Sequence, residues 1–214
     1  MIIMSDETIL DIAKRMQSIA NIGLLYSPEK SFDKERYREL KQLSEKIIQD
    51  ELKLPSGISE NIFVDYIDYP TPKVDIRALV LNDKREILMV QEKADNCWSL
   101  PGGWADIGKT PSEIALQEVL EETGIKASCK SLAAVFDKRM HPHPPQPWYV
   151  YKMFFYCEPD DPSARELTPA FDVLDAAWFS INALPPLSID RVLKEQIETV
   201  YKNIINRNFI TLFD

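Results

Sequence analysis

Three carboxylates, Glu118, Glu121 and Glu122, stand close together in the chain. In a helix, their i, i+3 and i+4 spacing sets them on one face within about 6 Å of one another. Like charges so placed destabilise an isolated helix, so something outside the helix has to compensate. Hard oxygen donors gathered in this way suit Mg2+ or Mn2+, ions that keep several waters and commonly bridge to substrate phosphates. Such an ion polarises a phosphoryl oxygen and lowers the pKa of an attacking water. Spacing alone is also explained by a solvated acidic face, and what surrounds the three residues has to decide.

The helix that carries them is clearly punctuated. Thr110 is placed as N-cap, Pro111 as the first helical residue, Glu113 as the partner in a capping box and Gly124 just beyond the end, giving a helix over Pro111 to Thr123. Ile114, Ala115, Val119 and Leu120 supply an apolar side that can pack on a sheet while the carboxylates point outward. Strands are predicted at Val74 to Leu81, Glu86 to Gln91, Leu132 to Asp137, Trp148 to Tyr156 and Ala176 to Phe179, with a last helix from Ser188 to Asn206. This alternation reads as α/β.

Upstream, Ile9, Ile12, Ala13, Met16, Ile19 and Ala20 follow helical spacing from Ser5, a candidate N-cap, to Ile22, with Gly23 as the terminator. A second helix runs from Asp33 to Glu51, with Tyr37, Leu40, Leu43, Ile47 and Ile48 on one stripe. Two such helices bury little alone, so the hairpin must pack on the rest of the chain or on a partner subunit. Lys53-Leu54-Pro55-Ser56-Gly57 breaks the helical pattern and Tyr69-Pro70-Thr71-Pro72 punctuates the next stretch. We therefore expect a helical domain over 1–57 and an α/β domain over 70–214.

Leading into the carboxylate helix is Leu100-Pro101-Gly102-Gly103-Trp104. A glycine pair lets backbone approach a ligand closely, but alone it is a weak signal. Its order relative to the helix is far more specific. Gly103, position 109 and the run Gln117-Glu118-Val119-Leu120-Glu121-Glu122-Thr123-Gly124-Ile125 resemble the Nudix box, G-x5-E-x7-R-E-U-x-E-E-x-G-U, with U a bulky aliphatic residue. Seven of its nine defined positions match: Gly103, Glu118, Val119, Glu121, Glu122, Gly124 and Ile125. The stretches Thr71 to Arg77, Trp98 to Trp104 and His141 to Tyr151 are similar to a bacterial Nudix subfamily with an N-terminal helical extension, so the resemblance covers nearly the whole chain. It implies an α/β/α sandwich around a mixed sheet and a cation-dependent attack of water on a pyrophosphate, with loops outside the box choosing the substrate. Members with this extension resemble CDP-choline and ADP-ribose pyrophosphatases and are often homodimers. Glu118 and Glu122 are then the main ligands of Mg2+ or Mn2+, and Glu121 a third ligand or a water-orienting base. Asp172, six residues before Trp178, stands where the family often carries an acidic residue that helps hold metal or orient water; a plain loop carboxylate is the alternative.

Two box positions depart from the pattern. Lys109 stands where Glu is usual and Gln117 where Arg is usual, the pair thought to brace the loop against the helix. Losing one partner of a buried pair strands the other charge, so changing both is the less damaging route. The changes re-tune the scaffold and spare the metal carboxylates, or else they mark a nucleotide-binding pseudo-enzyme.

Candidate substrate contacts are Gly102, Gly103 and Trp104 in the loop, Arg77 and Arg139 for phosphate or ribose, and Tyr149 and Tyr151 for stacking. Each arginine also has a reading as a surface ion pair, and each aromatic as core. His141 and His143 sit in a proline-stiffened run without cysteine partners, which argues against a metal site.

The 214 residues are 45% hydrophobic and 28% charged, enough to bury a full core. No apolar run reaches the roughly 18 residues of a membrane span, and Asp6 and Glu7 follow directly on the opening Met1-Ile2-Ile3-Met4, which points away from a signal peptide and toward the cytoplasm. Cys97, Cys129 and Cys157 form no CxxC pair and read as ordinary thiols. A formal charge of -9 repels polyanions, which argues against duplex DNA and disfavours an RNA-directed pyrophosphatase. Residues 1–57 hold nine Lys or Arg against ten Asp or Glu, so they offer no basic recognition helix for a DNA-binding regulator. A small nucleoside diphosphate derivative with its own cation is the expected partner.

Overall fold

Helix α1 (Ile9–Tyr26) starts at Thr8, whose hydroxyl accepts from Asp11 N at 3.1 Å while the Asp11 carboxylate accepts from Thr8 N at 3.4 Å. The structure, a computed structural model, describes residues 8–54, 69–163 and 166–214, so the expected Ser5 cap and the Pro55 to Gly57 part of the expected boundary lie outside the described residues. Gly23 does not end α1, which runs on to Tyr26 and closes with the Ser27 N–H on Gly23 O at 2.9 Å. The glycine serves packing instead. A Cβ there would fall 2.5 Å from the Tyr37 ring of helix α2 (Phe32–Glu51).

Leu10, Ala13 and Ile48 form the core between these two helices, with Ile47 and Leu52 against it. Only part of the expected α1 stripe is inside: Ala13 and Ala20 are buried, whereas Ile9, Ile12 and Ile19 are 61, 42 and 54% exposed. By its internal contacts the chain divides into two units, and Pro145–Tyr149 groups with these helices rather than with the α/β part. Tyr149 donates its hydroxyl to Asp11 O at 3.2 Å and carries Lys14 Nζ 4.7 Å above its ring.

The second unit, Lys73–Pro144 with Val150–Asp214, is built on two sheets. Strands β1 (Lys73–Val80), β5 (Val150–Pro159), β4 (Ala127–Asp137) and β7 (Leu212–Phe213) form a mixed sheet in that order, with β1 parallel to β5, β5 antiparallel to β4 and β4 parallel to β7. Strands β3 (Trp98–Ser99), β2 (Ile87–Glu92) and β6 (Val173–Phe179) form an antiparallel one. Helix α3 (Pro111–Thr123) packs Ile114, Ala115 and Val119 on Ile76, Ala78 and Val80; helix α4 (Lys194–Ile205) packs Ile197, Val200 and Ile204 on Leu79, Leu81 and Phe154. Because successive residues of β1 point to opposite faces, one strand supplies both layers, and the result is the expected α/β/α sandwich around a mixed sheet.

Strand β4 begins at Ala127, well before the expected Leu132, and β5 runs to Pro159. Register shifts between Cys129 and Ser131 and between Leu132 and Ala134 interrupt the alternation that would have announced the longer strand. The last helix begins at Lys194, not Ser188. Ser188 N is taken by Trp98 O and Ser188 O by the N–H groups of Arg191 and Val192, so this stretch forms a turn tied to β3.

Candidate active site

The loop Pro101 to Ala105 lies along the edge of β1 that β5 does not use. Ala78 N donates to Pro101 O and Ile76 N to Gly103 O, both at 2.8 Å, and Ala105 N donates to Val74 O at 2.9 Å. Backbone leaves no room for a side chain at Gly102, and a side chain at Gly103 would have to displace the end of Glu118. A Cβ on Gly102 would fall 2.0 Å from Ile76 O, and one on Gly103 would fall 2.6 Å from Glu118 Oε1. The glycines thus seat the loop against the strand on one side and the carboxylates of α3 on the other, and Gly102 N donates to Glu122 Oε2 at 3.0 Å.

Helix α3 is held in place by local devices. Thr110 and Glu113 form the capping box, Pro111 opens the first turn, and Gly124 closes the last with φ +76°. A side chain on Gly124 would meet Thr168 Oγ1 at 1.9 Å, where Thr168 N donates to Thr123 O at 2.9 Å.

The rotation of α3 corrects the expectation that all three carboxylates face outward with Leu120 inside. Ala115, Val119 and Glu122 stand at i, i+4 and i+7 on the buried stripe, leaving Glu122 6% exposed, whereas Leu120 is 44% exposed. Burial pushes the Glu122 carboxyl up to about 8, with Glu118 and Glu92 adding to the rise and Arg77 and the Gly102 N–H opposing it. Glu118 is half-buried and also raised, by burial and then by Glu121, Asp172 and Asp106, again against Arg77. Glu121 is exposed and accepts from Gln117 Nε2 at 2.8 Å along the helix surface. Asp172, exposed on the turn before β6, lies near enough to raise the proton affinity of both Glu118 and Glu92.

Arg77 is the positive charge common to this cluster, and it is a buried ion pair rather than a surface one. Its Nε and Nη2 reach Asp75 at 2.7 to 3.2 Å, and its Nη1 donates to Ser99 Oγ and Leu100 O at 3.2 Å. Asp75 also receives Lys152, its register partner on β5. Burial pushes Asp75 up, but Arg77 and Lys152 outweigh it and hold the carboxyl below its usual range. One acid between two cations leaves net positive charge beneath the glutamates.

Among the described residues no three His, Cys, Asp or Glu side chains converge tightly enough to cage a metal on their own. The donor set still fits a hard divalent ion. Glu118 and Glu122 meet at the glycine pair, Glu118 raises the proton affinity of Glu122 and Glu121 and Asp172 that of Glu118, the repulsion that a divalent charge offsets, and Mg2+ takes one or two carboxylates with water and phosphate oxygens completing its shell.

At the altered box positions, Lys109 pairs with Asp106 at 3.4 Å and Gln117 with Glu121. Each has found a neighbour of its own, so neither leaves a buried charge unpaired. Among the remaining candidates, Tyr151 lies between Val74 and Asp137 in the strand register. That row leads on through Ala105 to Trp104, 49% exposed, and at its other end Arg139 is paired with Asp137 at 2.7 Å. Trp104, Tyr151 and Arg139 therefore share one end of the sheet, while Tyr149 belongs to the helical unit. His141 contacts Asp214 at 3.0 Å and His143 the Ile189 carbonyl at 2.6 Å.

Sequence reasoning missed Glu92, buried at the end of β2 and paired with Arg191 at 2.8 Å, and the Asp75, Lys152 partnership. Alternation held a signal for each: Glu92 follows Leu88 and Val90 on one face, and Lys152 stands between Val150 and Phe154. A cavity of about 370 Å³ bounded by Leu81, Tyr156, Arg207 and Phe209 lies beyond the far end of β1 and includes none of these carboxylates, so volume does not mark the site.

Comparison with known proteins bears on this geometry. A family model described as NUDIX domain matches residues 71–200, and one described as UDP-X-like, N-terminal oligomerisation domain matches residues 7–57. A protein of Bacillus subtilis (strain 168), YjhB, named provisionally as an ADP-ribose pyrophosphatase, is 36% identical over 96% of both chains. The crystal structure of a UDP-X diphosphatase is 30% identical with a TM-score of 0.61, covering 96% of this chain and 98% of its own. That of an ADP-ribose pyrophosphatase from Streptococcus suis is 32% identical with a TM-score of 0.59, covering 67% of this chain and 100% of its own.

Proposed function

The chain belongs to the Nudix hydrolase family, and from that premise we propose that it hydrolyses the pyrophosphate bond of a nucleoside diphosphate linked to a second moiety. ADP-ribose is the first substrate to test and CDP-choline the second. The observation that carries this reading is the pair Glu118 and Glu122 held by α3 against Gly102 and Gly103. The names of the similar proteins, which cover ADP-ribose and UDP-linked substrates, favour a diphosphate conjugate over a triphosphate.

In this reading Glu118 and Glu122 hold Mg2+ or Mn2+, with Asp172 beside them and Glu121 orienting water. A bound divalent ion would neutralise charge on the pyrophosphate and favour ionisation of water. The chain's own groups do the rest. The glycine loop lets the diphosphate approach backbone without a side chain between, and the buried Arg77 fixes the carboxylates from beneath. The oxygen of water adds to one phosphorus, the bridging P–O bond breaks, and two phosphomonoesters leave. The proton lost by the water passes to a carboxylate of the cluster, which burial has made a better base than a free glutamate. Trp104, Tyr151 and Arg139, at one end of the sheet, are placed to read the base or the second moiety.

The helical unit forms the contact of a homodimer: its match to an oligomerisation domain and the exposed Ile9, Ile12 and Ile19 support this. Among the described residues no helix is long and apolar enough to cross a membrane, and an acidic chain acting on free nucleotides suits the cytoplasm.

The test is product release from ADP-ribose, CDP-choline, UDP-linked sugars and nucleoside triphosphates with Mg2+ or Mn2+, comparing wild type with Glu122→Gln. Metal-dependent formation of a nucleoside monophosphate from one conjugate, lost in the variant, supports the reading. Silence across the panel, together with nucleotide binding, would replace it with a binding module.

A further inference from the structure

We propose that Cys129 and Cys157 are a peroxide-reactive thiol pair that closes to a cross-strand disulfide. Far apart in sequence, the two residues stand directly opposite each other in the β4/β5 ladder. Opposed residues in an antiparallel pair have Cα atoms about 4.5–5.5 Å apart, inside the span of about 4.4–6.8 Å that a disulfide bridges. Both side chains point to the same face, since both belong to the apolar layer that seats α3. The ladder slips between Cys129 and Ser131, so the backbone next to Cys129 is less tightly paired than a regular strand.

The two thiols are unequal in the way such chemistry needs. Cys129 is half-buried and open to a small oxidant, whereas Cys157 is fully buried behind it. The two thiols perturb each other: the neighbouring Cys157 draws the Cys129 thiol down to about 7, while Cys157, whose thiol donates to Phe155 O at 4.0 Å, is pushed up by Cys129 and by burial. Cys129 is therefore the attacking sulfur and Cys157 the resolving one. The Cys129 thiolate attacks one peroxide oxygen, the O–O bond breaks, and the released hydroxide takes a proton to leave as water. Cys157 then attacks the Cys129 sulfenic sulfur, the S–O bond breaks, and hydroxide leaves with the Cys157 proton. Two thiols are oxidised and one peroxide becomes two waters. Cys97, half-buried between β2 and β3, is not opposed to either and serves as an internal reference.

The full chain is treated with hydrogen peroxide, unfolded without reductant, alkylated and mapped. Free thiols should fall from three per chain to one, with a mass loss of about 2 Da and a single linked peptide joining Cys129 to Cys157. Cys157→Ala should leave a sulfenic acid on Cys129 that dimedone captures, and Cys129→Ser should keep both remaining thiols. Three surviving thiols, oxygen adducts without a link, or a link through Cys97 would each overturn the proposal; because the wild-type map needs no variant, a folding defect in either substitution does not obscure the result.

Discussion

Helices α1 and α3 both open with a capping box, Thr8 with Asp11 and Thr110 with Glu113, and both carry an apolar stripe, yet they depart from the inside-out rule in opposite directions. In α1, Ile9, Ile12 and Ile19 stay about half exposed, each forgoing roughly 1 kcal/mol of burial. In α3 the Glu122 carboxylate is inside, at a desolvation cost of several kcal/mol, on the order expected for a buried ion. Arg77 and the Gly102 N–H offset only part of the cost at Glu122, whose carboxyl stays raised to about 8, and the three isoleucines of α1 stay partly exposed. Each therefore names the chemistry of what is missing: a second apolar surface for α1 and positive charge for α3.

Removing the buried carboxylate tests this contrast hardest. Glu122→Gln keeps the acceptor for Gly102 N and should lower turnover by about 10²-fold or more, whereas Glu121→Gln, on the exposed face, should lower it far less. Equal losses in the two variants would mean that burial does not distinguish them. The same substitution has a stability signature. Because the folded-state pKa of Glu122 lies above its unfolded value, the folded chain is favoured while the group is protonated, and stability is lost as pH rises from about 4.5 through about 8. In chelator, Glu122→Gln should then melt higher than wild type above pH 8, by about 5 °C, and the gap should close toward pH 4.5. A gap that is constant with pH would remove the carboxylate as its cause.

Within the candidate active site the two glycines differ in the same way. Gly102→Ala drives a methyl into the Ile76 carbonyl, which is backbone and cannot yield, so thermal stability should drop by several kcal/mol, roughly the scale of severe overpacking. Gly103→Ala meets only the end of the Glu118 side chain. It should leave the melting temperature nearly unchanged and raise the metal concentration for half-maximal rate by about tenfold, or 1.4 kcal/mol. On the other helix, Ile12→Glu with Ile19→Glu should convert a dimer to monomers in light scattering while helix content is retained. A dimer that survives both charges would place the contact elsewhere. The smallest effect belongs to the altered box pair: since Lys109 and Gln117 each have their own partner, Lys109→Glu with Gln117→Arg should change turnover by less than about tenfold. A jump from none to full turnover would make these two positions the reason for an inactive wild type.

Helix α3 and its glycine loop were legible in the sequence because caps, a first-turn proline, a left-handed glycine and carboxylate spacing act over one helical turn. Strands β1 and β2 were legible because short apolar runs on either side of the polar turn Asn82 to Arg85 are also a local signal. The same rules failed where another element decided. Gly23 reads as a terminator until the Tyr37 ring is seen in its notch, and Ser188 reads as helical until Trp98 takes its N–H. β4 was half hidden because its bulges break the period of two.

What this sequence determined by itself is the kind of chemistry, three carboxylates after a glycine pair on a capped helix. Which of them turns inward was decided by how α3 seats on β1, since a helix with apolar residues on neighbouring stripes can rotate by one position and exchange Leu120 for Glu122. The buried charges beneath it, and the meeting of Cys129 with Cys157, came from strand register alone. Register joins residues distant along the chain through backbone hydrogen bonds that every residue type makes alike, and so no spacing in the sequence announces which side chains it will bring together.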